Sequence, residues 1–340
     1  MDERILAAVD ADEAYLVGGA IRDELLGLPV LDTDVACREP EAAARRLAAL
    51  TKSAVFLLSE RHGAWRVALH DGCTVDFTLL RDTIEEDLGG RDFTVNAIAA
   101  PLPAGEPIDP FRGREDLAAR SLRAVSGSVF ADDPLRLLRA VRLEDELGLQ
   151  IDPQTEALVV RDAHLVAEPA GERILAELLR LSGDGWRRLD QLRLLAGLGG
   201  STARLDVVEQ GSSPELRLVA TLGEAVFRLP LSHELRRFAR KLLAAERPQD
   251  DSPRAIHRFR KATEPWALDA LAFVDARELL PAVERARAAD PAEPLLRGDE
   301  LGVAPGPEIG RLLDRIAEER AAGTISTREE ALELVRRERS

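Results

Sequence analysis

Two aspartates spaced two apart, Asp32 and Asp34, carry the first chemistry in this sequence. In an extended segment both side chains point to one side. Two carboxylates on one face repel each other unless a cation neutralises them. Mg²⁺ suits such oxygen ligands and takes its other positions from water and substrate phosphate. A third carboxylate, Asp76 in TVDFT, is expected to face the same place from a later strand. Upstream stands Gly18-Gly19, between a predicted strand and a predicted helix. Glycines there let backbone N–H groups approach a phosphate, and the helix start adds a favourable dipole. Arg22, in the first turn of that helix, is placed to pair with a triphosphate. An isolated Asp-x-Asp is usually a turn or a solvated face. The succession of strand, Gly-Gly, helix with Arg22-Asp23, then Asp32 and Asp34 is far more specific.

The elements that must position these residues follow from patterning. Residues 14–17, 34–37, 54–58, 64–70 and 73–79 read as strands, and 20–26 and 40–50 as helices. Asp71-Gly72 between the last two strands is a hairpin signal. The first ~120 residues therefore read as a mixed α/β domain with an antiparallel component. After residue 125 the strand signal fades. Residues 135–147 and 173–181 have helical apolar spacing. Residues 197–201 and 210–214 read as loops, and QDDSP, 249–253, as a linker.

Composition sets the bounds. The 340 residues are 45% apolar and 31% charged, and aromatics are scarce at 4%, which favours a helix-rich chain of two or more modules. No apolar run approaches the ~18–20 residues of a membrane span. The acidic start, MDERILAAVDADEAY, does not resemble a secretory signal. Cys37 and Cys73 fit no metal-ligand spacing and suit a reducing cytoplasm. The net charge of −15 argues against nucleic acid. Only the binding face has to be positive, however, so the motifs must carry any such reading. The five histidines are scattered, and His70-Asp71 falls in the hairpin turn without a matching downstream set.

GGAIRD followed by LDTD resembles the head-domain signature of class II tRNA nucleotidyltransferases and bacterial poly(A) polymerases. Further segments resemble the family's motifs in the family's order. RDFTVNAIA, 91–99, resembles the second motif, which implies that Arg91 and Asp92 contact the incoming nucleotide and its ribose. IDPFRGREDL, 108–117, resembles the segment joining head to neck. DDPLRLLRAVR, 132–142, resembles the nucleotide-selecting motif, and AGERILAEL, 170–178, one that braces the selecting helix. LLRGDELGVAPGPEIGRLLDRI, with GTISTREEALELV after it, resembles the bacterial tail, which implies contact with the RNA acceptor region. An ordinary turn between helices, with Thr327 and Glu330 at a helix start, explains that stretch equally well.

The selecting motif also has a physical reading. Asp133, Arg136, Arg139 and Arg142 recur every three residues and stay adjacent on a helix surface. A carboxylate accepts from the amino group of cytosine or adenine, and a guanidinium donates to the ring acceptor beside it. CTP and ATP both present that edge. Asp133 with Arg136 is thus expected to read the base, and the resemblance implies that Arg139 and Arg142 serve nucleotide binding. On spacing alone, Asp133 before Pro134 reads as a helix cap and the arginines as a solvated face.

The expectation is an α+β chain. A nucleotidyltransferase head with a mixed, largely antiparallel sheet, 1–124, precedes an all-α neck at 125–185, body at 186–252 and tail at 253–340. Its activity is template-independent transfer of nucleotides from CTP and ATP to the 3′ end of tRNA, making CCA or part of it, with two Mg²⁺ ions held by Asp32 and Asp34. No membrane partner is expected. The alternatives are a poly(A) polymerase, a CC-adding or A-adding specialist, and a non-catalytic RNA-binding relative. Two departures bear on that choice. Gly90 stands where many members carry an arginine, and the Asp76–Arg91 interval is short, a trait associated with enzymes that add only the two cytidines.

Overall fold

Alternating apolar and polar residues build one sheet at the N-terminal end. The structure is a computed structural model that describes residues 3–9, 13–30, 32–60, 63–80, 82–208 and 212–339. It divides into two compact units, 1–198 and 199–340.

In the first unit the chain runs α1 (Glu3–Val9), β1 (Ala14–Val17), α2 (Gly19–Leu25), β2 (Asp32–Cys37), α3 (Pro40–Thr51), β3 (Ala54–Ser59), β4 (Ala64–Ala68), β5 (Thr74–Leu79), α4 (Ile84–Gly89) and β6 (Ala99–Pro101). Among the described residues these six strands form one sheet in the order β3-β4-β5-β2-β1-β6. Every pair is antiparallel except β2 with β5. A parallel pair needs a long crossover, and here α3, β3 and β4 lie between the two strands. β2 begins at Asp32, two residues before the expected start, because Asp32 and Thr33 already pair with Thr74 and Val75. The expected hairpin is present: the Leu69 N–H donates to the Cys73 carbonyl at 2.9 Å, and Asp71 accepts from the Cys73 N–H.

One sheet face packs on α1 and α3. Val35, Val67, Val75 and Phe77 meet Ile5, Ala44 and Leu47 there. On the other face Val17 and Ala36 pack with Leu80, Ile84, Leu88 and Ala97. α4 fills the short interval after Asp76. A reciprocal Thr83–Glu86 capping box starts it, which satisfies two otherwise orphan N–H groups.

Helices follow: α5 (Gly113–Ala118), then α6 (Val129–Asp132), α7 (Leu135–Leu147), α8 (Pro153–Asp162), α9 (Gly171–Leu178), α10 (Gly183–Gln191) and α11 (Leu194–Gly197). A two-residue parallel ladder, β7 (Ser121–Leu122) with β8 (Gln150–Ile151), interrupts them. The helix expected over 173–181 ends at Leu178, and Ser182 caps a new one by accepting from the Gly185 N–H. α7 buries Leu135, Leu137, Leu138, Val141 and Leu143.

The second unit holds α12 (Leu205–Val208), α13 (Pro214–Leu222), α14 (His233–Leu243), α15 (Pro253–Thr263), α16 (Ala267–Phe273), α17 (Leu280–Ala288), α18 (Pro307–Ala321) and α19 (Arg328–Glu338). The expected loop at 210–214 falls partly outside the described residues. The 249–253 segment joins α14 to α15, and Ser252 caps α15. α19 starts with the Thr327–Glu330 capping box. The architecture is α+β, a mostly antiparallel N-terminal sheet followed by helices. Among the described residues no helix is long and apolar enough to cross a membrane.

Candidate active site

The parallel pairing of β2 with β5 sets Asp34 opposite Asp76 and Asp32 opposite Thr74. Residues opposed in register share a face, so the three carboxylates converge on one side of the sheet. Thr74 donates its hydroxyl to Asp32 Oδ1 at 2.7 Å. Asp76 accepts a bidentate pair from Arg66 on β4, with Nε and Nη2 both at 2.7 Å. Asp34 is left without a direct partner. Among the described residues its carboxylate accepts no hydrogen bond and forms no ion pair. Burial pushes its pKa up, and the charges of Asp76 and Asp32 add to the rise. Arg91 and Arg139 pull the other way without cancelling it.

Gly18 closes this site from above. Its φ is +76°, and a Cβ there would lie 2.9 Å from both Asp34 Oδ2 and Arg91 Nη1. Only a residue without a side chain adopts that backbone comfortably and leaves that room. Arg22 falls in the last turn of the short α2, not the first as expected, because the helix ends at Leu25; its Nε is on Asp23 at 2.8 Å and its Nη1 on Asn96 Oδ1 at 2.7 Å. Arg91 uses Nε and Nη2 on Asp87 and leaves Nη1 facing Gly18.

Asp92 is buried and accepts from the Phe93 N–H at 2.8 Å and the Asn96 amide at 2.9 Å. Arg139 of α7 brings Nε to 2.7 Å from Asp92 Oδ2, a close charge contact whose N–H is not aligned as a hydrogen bond. Burial opposes ionisation of Asp92, yet Arg139, Asn96, the Phe93 N–H and Arg136 outweigh it and hold its pKa below the usual value.

A scan of known families matches the Poly A polymerase head domain to residues 14–82 and 70–123. An A-adding tRNA nucleotidyltransferase of Deinococcus radiodurans is 34% identical, over 95% of this chain and 95% of its own. The chain belongs to the tRNA nucleotidyltransferase family. A CC-adding tRNA nucleotidyltransferase of Thermus thermophilus is 31% identical over 94% of this chain and 92% of its own. The solved CCA-adding enzyme of Bacillus stearothermophilus, in complex with CTP, superposes with a TM-score of 0.74 at 26% identity, covering 99% of this chain and 97% of that one.

In this member of the tRNA nucleotidyltransferase family, α7 carries the remaining predicted residues to different places. Asp133 precedes Pro134, the N-cap of α7, and accepts from the Leu135 N–H at 3.2 Å and from Arg173 Nη2 of α9 at 2.9 Å. Arg136 donates to the Gly90 carbonyl at 2.6 Å, which ties α7 to the 90–91 segment. Arg139 reaches Asp92. Arg142 does not reach the cluster around Asp34. It is 6% exposed and paired with Glu177 of α9 and Glu146.

Four contributors escaped sequence reasoning as site residues: Arg66, Asp87, Asn96 and Arg173. Asn96 links Arg22 to Asp92, and its place four residues after Asp92 inside RDFTVNAIA was the available signal. Arg66 and Arg173 act across strand and helix pairings that local spacing does not encode.

The cluster suits a divalent cation. Among the described residues no three of His, Cys, Asp and Glu form a ligand set, so Asp32 and Asp34 are a two-carboxylate pair. Mg²⁺ accepts such a pair when water and phosphate oxygens complete its shell. The Asp34 charge, buried with no direct partner and only partly offset by Arg91 and Arg139, is the feature that calls for a cation here.

Proposed function

We propose that this nucleotidyltransferase adds CMP and AMP from CTP and ATP to the 3′ end of tRNA, building CCA or part of it and releasing pyrophosphate. The observation that carries the reading is Asp34: a desolvated, unpaired carboxylate aligned with Asp76 beneath the Gly18 turn. Asp32 and Asp34 would hold two Mg²⁺ ions, which supply charge neutralisation for the attacking hydroxyl and the leaving pyrophosphate. The chain's own work is positioning. The Gly18-Gly19 backbone, Arg22 and the free Nη1 of Arg91 hold the triphosphate. Asp92 fixes the 91–96 segment against α7 and borders the ribose, with Arg139 as its counter-ion. Asp76, oriented by Arg66, assists at the 3′-hydroxyl. Asp133, held by Arg173, and Arg136, held by the Gly90 carbonyl, read the base edge. Arg142 supports that helix from within. The head spans 1–124, the neck 125–185, the body 186–252 and the tail 253–340, with the tail contacting the RNA acceptor region.

A second reading, addition of the two cytidines only, is favoured by one observation. The interval after Asp76 holds a capped helix with Ile84 and Leu88 buried in the core, in place of a long loop. Labelled CTP and ATP offered with three RNAs separate the readings: tRNA lacking CCA, tRNA lacking only the last adenosine, and unrelated RNA. C followed by A on tRNA supports CCA addition, and CC alone supports the specialist. Long A tails on unrelated RNA overturn both.

A further inference from the structure

The sheet carries the carboxylate face outward to its edge. Asp34 lies opposite Asp76, Asp76 opposite Arg66, and Arg66 opposite Phe56. Opposed residues share a face, and the Arg66–Asp76 ion pair bears this out. The alternate residues Trp65 and Phe77 turn the other way, into the α3 core. Phe56 therefore stands on the same face as Asp34, on the edge strand β3. It is 44% exposed, and of the chain's thirteen aromatic side chains it alone is exposed. Elsewhere the chain buries or half-buries its few rings, so this one is spent on a surface.

We propose that Phe56 is a stacking platform for an RNA base just upstream of the reacting 3′ end. The inference rests on transfer to an RNA 3′-hydroxyl. Three strand spacings of ~4.8 Å put Phe56 ~14 Å from Asp34. The terminal nucleotide must sit at the carboxylates for its hydroxyl to react. The ring then meets a base a few nucleotides back along the strand. Unpaired RNA bases stack on aromatic faces with little regard to sequence, which suits a primer end that changes with each addition.

The test is steady-state incorporation of labelled CMP into tRNA lacking its CCA end, with the unmodified chain and with Phe56→Ala, Phe56→Leu and Phe56→Trp. The Ala and Leu variants should raise KM for RNA about 10-fold or more, with kcat at saturating RNA and KM for CTP unchanged. The Trp variant should match the unmodified chain. An unchanged KM for RNA in Phe56→Ala overturns the proposal. Full activity in Phe56→Leu also does so, because bulk rather than a ring would then suffice. A dimer in sedimentation that Phe56→Ala dissociates, with KM for RNA unmoved, assigns the surface to a second copy of this chain. If the unmodified chain incorporates neither CMP into this tRNA nor AMP into tRNA lacking only the last adenosine, the transfer reading itself fails, and stacking falls with it.

Discussion

Arg173 Nη2 lies 2.9 Å from Asp133 Oδ2, so a guanidinium on α9 sets the carboxylate at the start of α7. Asp133, the proposed reader of the base edge, is thus held from another helix rather than by its own turn alone.

Removing either partner should loosen base choice while sparing the metal chemistry. Asp133→Ala should cut discrimination of CTP and ATP against UTP and GTP by ~10-fold or more, the worth of a lost recognition hydrogen bond. Arg173→Ala should do the same more weakly, because Asp133 keeps its bond to the Leu135 N–H. The check is incorporation of each nucleotide singly. Unchanged preference in Asp133→Ala refutes the template role.

Asp34→Asn should separate activity from stability. Transfer should fall by at least ~100-fold, since charge stabilisation at the reacting phosphate is lost. The metal-free protein should nevertheless melt higher. Asp34's folded pKa is raised, so the unfolded chain ionises first as pH rises. Stability of the metal-free protein is then lost from the ordinary carboxylate range up through the raised folded value. The amide removes that loss. Thermal melts in chelator across this range decide it, and an unaltered pH slope in the variant counts against the assignment.

Asp92 behaves in the opposite sense. Its folded pKa is lowered, so its contribution is present above the unfolded value and disappears as pH falls through the folded one. Arg139→Met would strand a buried carboxylate. Urea denaturation should show a loss of about 3 kcal/mol near neutral pH, shrinking in acid where Asp92 takes up a proton. Asn96 and the Phe93 N–H retain part of the compensation, so complete unfolding is not expected.

Two glycines should respond differently to alanine. Gly18→Ala places a Cβ against Asp34 and Arg91 at positive φ and should abolish transfer, read as labelled CMP incorporation, with a clear drop in Tm. Gly90 has φ −82°, and its Cβ would meet nothing nearer than the Asp87 carbonyl at 3.5 Å. Gly90→Ala should keep activity and gain about 0.4–1 kcal/mol by restricting the unfolded chain. A fall in Tm for Gly90→Ala would show that the added methyl strains the folded 90–91 segment, and lost activity at an unlowered Tm that the segment must move during the cycle.

Much of the fold was readable because its signals are local. The Asp71-Gly72 turn, the Thr327–Glu330 cap, the apolar spacing of α7 and the strand–Gly-Gly–helix succession each depend on neighbours a few residues away. So does the alternation that puts Asp32 and Asp34 on one face. Sequence by itself therefore determined the α+β class, the paired carboxylates and the order of the motifs. Only the tertiary structure decided which distant residues complete the site. The parallel β2–β5 register brings Asp76 beside Asp34 across 42 positions of chain. The β4–β5 register hands Asp76 to Arg66, and helix packing hands Asp133 to Arg173 and Arg142 to Glu177. Spacing on one helix sets Arg136, Arg139 and Arg142 three residues apart. It does not say that the first meets the Gly90 carbonyl, the second Asp92 and the third Glu146 and Glu177. Those choices belong to surfaces that meet only once the chain has folded.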